Sequence, residues 1–156
     1  MPSDEFFGTS LRRDPAQPAD LSARIDAQLR ERLEEAVDFV CLDALVQRRR
    51  ALGLTPPSAD NARDRAEFTQ GVRAFLTALR AAIAATLTEA QRRKLATAEH
   101  ANGDETERML AGHVVLAREL PDYWQRFETA RAAYTAERLS SGGKRRGLLA
   151  RLFGRG

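Results

Sequence analysis

Four side chains in the second half of the sequence, His113, Tyr123, Trp124 and Arg131, have the types from which a ligand pocket could be assembled. An imidazole ligates a metal or a haem and titrates near neutrality. Trp and Tyr add large apolar faces with one polar handle each, and Arg131 adds a cation. The same residues are also what a plain helical core contains. Neither His113 nor His100 has a Glu three positions before it, so the Glu-x-x-His ligand pair of carboxylate-bridged metal bundles is absent. A hydrogen-bonded core histidine is therefore the favoured reading of His113, with a small-ligand or sensor pocket around His113 and Trp124 as the alternative.

A second constellation lies at the C-terminal end. Lys144, Arg145, Arg146, Arg151 and Arg155 are accompanied by no acid, and Leu148, Leu149, Leu152 and Phe153 recur at i, i+1, i+4 and i+5, the spacing of one apolar helix face. The sequence pI is 9.6, yet the residues before Ser140 hold 20 basic against 22 acidic side chains, so the whole positive excess belongs to this segment. Cations beside an apolar stripe suit an anionic membrane surface or a groove in a partner protein or scaffold. Burying four apolar side chains yields about 1 to 2 kcal/mol each, and each cation near anionic lipid about 1 kcal/mol. Ordering some ten residues costs roughly 1 kcal/mol apiece. One such segment binds weakly, and durable attachment calls for oligomerisation or a second contact. Nucleic acid is a poorer fit, because Phe153 is the only aromatic among the cations.

Other chemistry is missing. Cys41 is the single cysteine, which excludes an intrachain disulfide and a Cys-based metal site. There is no His-Glu-x-x-His, no Gly-x-Gly-x-x-Gly and no Gly-Lys-Ser/Thr phosphate loop, and Ser140 and Ser141 stand far in sequence from both histidines. Glu31, Glu34, Glu35 and Asp38 share a helical neighbourhood that could attract a divalent cation, but Arg24, Arg30, Arg32 and Arg49 interleave with them, and a solvated face of weak ion pairs is preferred. The expectation is a protein that is not an enzyme and has no cofactor. No leader-like or membrane-spanning run occurs in the sequence, so a reducing cytoplasm, with peripheral attachment to the inner membrane as an option, is the expected location.

The elements that carry these residues read as all-α: an antiparallel bundle of four to five helices, with a flexible arm over 1–19, the bundle over 20–139, a linker over 140–143 and the basic amphipathic tail over 144–156. Within the arm, the adjacent Phe6 and Phe7 are expected to fold back onto an apolar groove of the same domain. Leu21, Ile25, Leu29, Leu33, Val37, Val40 and Ala44 line the first helix, which Gly53 terminates. Ser58 or Asp60 is expected to cap the second helix, whose stripe is Phe68, Val72, Phe75, Leu79 and Ile83. Thr88 and Gln91 form a capping box for a short third helix with a thin apolar face. From Asp104 onward, Met109, His113, Leu116, Leu120, Trp124, Phe127 and Tyr134 make the most aromatic stripe in the chain, with Arg131 near its far end. That stripe keeps its phase across Pro121, which predicts a kink rather than a corner.

Overall fold

A computed structural model describes residues 18–149, and the side chains of 20–140. Five helices follow one another: α1 (Pro18–Ala51), α2 (Ala62–Ala84), α3 (Glu89–Glu99), α4 (Glu105–Glu119) and α5 (Tyr123–Leu149). Among the described residues there is no strand, and no helix is long and apolar enough to cross a membrane.

The helix boundaries have local causes. α1 stops where Gly53 adopts φ +68°, and the Leu54 amide donates back to the Arg49 carbonyl at 2.8 Å, which closes the end of the helix. α2 is capped by Asn61, whose side chain accepts from the amides of Arg63 and Asp64. The expected caps do other work, since the Ser58 amide donates to the Asp64 carboxylate instead. Thr88 and Gln91 form the reciprocal box at the start of α3, and Asp104 accepts from the Glu107 amide at the start of α4.

Pro121 does not kink a helix; it separates two. Leu120, forced toward extended backbone by the proline that follows, has φ −108° and ψ 115°, and α5 begins only at Tyr123. At the restart the inward position falls to Tyr123 instead of Trp124, while Phe127 and Tyr134 keep theirs. Tyr123, Phe127 and Tyr134, spaced at i, i+4 and i+11, fill the core and are 1 %, 1 % and 8 % exposed, while Trp124 is left on the flank. Arg131, expected on the stripe, instead lies on the surface and pairs with Glu128 at 2.8 Å.

The core joins Leu33, Val37, Val40 and Ala44 of α1 to Val72, Phe75, Leu79 and Ile83 of α2, Leu110, Val114 and Leu116 of α4, and the three inward aromatics of α5. Phe75 packs edge-on against both Phe127 and Tyr134. α3 rests on α4, where Gly112 lets Leu95 and Glu99 approach to distances that a Cβ would contest. Its thin apolar face is supplemented by ion pairs, since Arg80 grips Glu99 through two bonds at 2.6 and 3.0 Å and Lys94 reaches Glu119.

Arg49 in the last turn of α1 meets Asp64 in the first turn of α2, so those two helices run in opposite senses. By contrast Arg32 stacks on Trp124 while Cys41, nine residues further on, lies by Tyr134, so α1 and α5 run in the same sense. The chain reverses at the proline break: α4 runs in the sense of α2, with Thr106 meeting Arg73 and His113 meeting Leu76, and α5 returns alongside α1.

The linker expected at 140–143 is helical backbone, because α5 continues to Leu149. Glycine in a helix interior costs about 1 kcal/mol relative to alanine, which weakens a helix without ending it. The arm residues Phe6 and Phe7 lie outside the described residues, as do Arg151, Leu152, Phe153 and Arg155. Lys144, Arg145, Arg146, Leu148 and Leu149 are placed as helical backbone only.

Candidate functional site

Two places in the molecule concentrate polar chemistry, and they differ in kind. The first is the interior around His113. α4 turns the imidazole inward, where it is 2 % exposed. Its Nε2–H donates to the Leu76 carbonyl of α2 at 2.9 Å, and its Nδ1 accepts from the Tyr123 hydroxyl at 3.0 Å. A carbonyl only accepts, so this pattern selects the Nε2–H tautomer of the neutral ring. Burial, opposed by the Leu76 bond, lowers the pKa of His113 to about 4 and holds the ring neutral. Burial likewise raises the Tyr123 phenol above its ordinary value. Both imidazole nitrogens are engaged, which leaves no lone pair for a metal or a haem.

Of the residues from which the sequence builds a pocket, then, His113 and Tyr123 are bonded to each other. Trp124 packs edge-on against Tyr123 at 5.2 Å with the Arg32 guanidinium 4.0 Å over its ring. Arg131 takes no part. No group of three or more His, Cys, Asp or Glu side chains that could hold a metal occurs among the described residues. Cys41 is buried, and that burial pushes its thiol up to about 12, so the thiolate that a nucleophile requires does not form near neutrality.

The second place is the corner where α1 meets the start of α2. Arg49 donates to Asp64 and to Glu67, each at 2.7 Å, and Asp64 also accepts from the Ser58 amide at 2.8 Å. The Arg49 guanidinium, followed by the Ser58 amide, holds the Asp64 carboxyl below the usual carboxylate range. This clamp pins the 52–61 connection against the helices. Sequence reasoning missed it because the partners are 15 and 18 residues apart and belong to different helices.

Beside the clamp a cleft of about 350 Å³ opens between α1 and the connection, with Phe39, Leu42, Leu45, Pro57 and Phe68 as its apolar walls. Phe39 is 70 % exposed and Leu42 49 % exposed. Asp38 stands at the rim, its carboxyl raised by partial burial and by the neighbouring Glu34. No cation pairs with Asp38 among the described residues. The only sequence signal for this cleft was that Phe39 and Leu42 fall off the apolar stripe of α1, on a face that the pattern assigns to solvent.

Comparison with protein-family models, with curated proteins and with solved structures returns no match.

Proposed function

We propose that this chain is a non-enzymatic helical interaction protein that docks through its basic amphipathic C-terminal segment, residues 144–156, onto an anionic acceptor: a membrane surface or a partner assembly. The observation that carries this reading is the partition of charge and apolar residues. The residues before Ser140 hold 20 basic and 22 acidic side chains, whereas the segment beyond combines five cations with Leu148, Leu149, Leu152 and Phe153 at one-face spacing. Among the described residues no buried side-chain polar atom lacks a hydrogen-bond partner, so the bundle interior holds no unsatisfied group waiting for a ligand.

The course of α5 supports the same reading. It runs alongside α1 in the same sense and its described backbone extends further at that end, to Leu149. Arg50 stands exposed on the last turn of α1 at that same end. Flotation with vesicles containing anionic lipid, together with pull-down of partner assemblies, compares the full chain with one ending at Ser141. Retention by the full chain, screened as salt rises and lost on truncation, is expected. Equal behaviour of the two chains overturns the reading.

A further inference from the structure

The α1–α2 cleft and the C-terminal segment are complementary in three respects. The cleft presents apolar walls with Phe39 and Leu42 open to solvent, and the sequence of the segment spaces Leu148, Leu149, Leu152 and Phe153 as one helix face would. The charged groups lining the cleft are Asp38, the Arg49-paired Asp64 and Arg65, and Glu34, Glu35 and Asp43 are neighbours of Asp38 along α1, whereas the segment carries five cations and no acid. Among the described residues no ion pair engages Asp38, and Glu34 lies near it, so a guanidinium from outside would relieve that repulsion. Gln47 and Arg30 already engage Asp43 and Glu34 on α1.

The described course of α5 leads away from the cleft. Tyr134 of α5 lies by Cys41 of α1, and α5 continues as helix for fifteen residues to Leu149. At 1.5 Å per residue Leu149 stands about 22 Å further along the bundle, roughly 20 Å beyond the level of Leu42. Phe153 is four residues further on, and four extended residues span about 13 Å. A neighbouring molecule has no such constraint.

We propose that the α1–α2 cleft receives the C-terminal amphipathic segment of a second copy of this chain. The inference rests on the reading of that segment as the docking element and names its partner. The contact is heterologous, since one molecule gives its tail and the other its cleft, so it propagates into a ring or an open chain rather than stopping at a symmetric dimer. It also supplies the multiple copies that a weakly binding segment needs for durable attachment to a larger surface.

Sedimentation velocity of the full chain over a concentration series is the test. The mean mass is expected to rise with concentration up to about 100 μM, and to rise less as salt is raised. Leu42→Asp, which spoils the cleft, and Phe153→Asp, which spoils the segment, are each expected to weaken association at least about tenfold. Mixed together, the two variants retain one intact cleft and one intact segment, and a one-to-one complex is the expected product. A misfolded variant gives no such rescue. A full chain that stays monomeric throughout, or variants that associate like the unaltered chain, overturns the inference. If the full chain is monomeric yet still floats with anionic vesicles in a manner that truncation at Ser141 abolishes, the inference fails while the docking reading stands. If truncation changes neither flotation nor capture, that reading fails instead.

Discussion

The interior around His113 and the corner between α1 and α2 make the same point from opposite sides. Around His113 every polar demand is met within the chain: the ring's donor has the Leu76 carbonyl, its acceptor has the Tyr123 hydroxyl, and aromatic edges close the rest. At the corner the clamp of Arg49, Asp64 and Glu67 is complete, but the cleft beside it leaves an aromatic ring 70 % exposed and a carboxylate, Asp38, that no ion pair engages among the described residues. A histidine in an aromatic neighbourhood looks more like a functional site than a phenylalanine on a charged helix does. The contacts reverse that ranking, because a group whose bonds are all satisfied internally has nothing left to offer a partner.

Substitutions break this comparison at graded cost. Phe75 is fully buried between Phe127 and Tyr134, so Phe75→Ala should destabilise the protein by about 4 kcal/mol in chemical denaturation. A loss below about 1 kcal/mol would mean that the core lies elsewhere.

Acidification comes next. The unfolded chain binds a proton at His113 near pH 6.5, whereas the folded chain refuses it until about 4. Between those values the unfolded state holds more protons, so the contribution of His113 is fully present above pH 6.5 and is lost as pH falls toward 4. The loss is about 3 kcal/mol if the whole shift is expressed. Denaturation midpoints recorded across that interval should slope accordingly, and the slope should flatten in His113→Leu. Below the ordinary carboxylate range, near pH 4, Asp64 adds a further loss of the same sign. Its folded carboxyl is held low, and the clamp dissolves as that group protonates.

Tyr123→Phe removes one hydroxyl and leaves Nδ1 of His113 without a donor. The expected cost is about 2 kcal/mol, and an unchanged midpoint would show that water replaces the hydroxyl. Phe39→Ser is the smallest in effect on stability, within about 0.5 kcal/mol, because the ring is mostly in water. A cost above 1 kcal/mol would reveal that the chain itself covers the cleft.

Much of this architecture was legible in advance. The 3.6-residue recurrence of apolar side chains marks every helix, Gly53 and the Thr88–Gln91 box mark two of the ends, and the Arg30–Glu34 pair follows from its spacing of four. Trp124 was misjudged for a reason of the same local kind. The stripe was continued across Pro121 as though the helix were unbroken, and the restart moved Tyr123 into its place.

Sequence alone determined what each turn of helix can encode, because backbone hydrogen bonds and side-chain spacing act over four residues: an all-helical chain, the apolar faces of its helices, and a cationic segment after a nearly neutral body. Tertiary structure decided what depends on residues far apart in the chain. It fixed that α5 runs alongside α1 in the same sense, that Arg49 closes on Asp64 and Glu67, and that Leu76 of another helix silences His113. It also decided which apolar side chains of α1 stay in water. A helical pattern specifies only a direction around one axis, whereas burial depends on whether another helix arrives on that side.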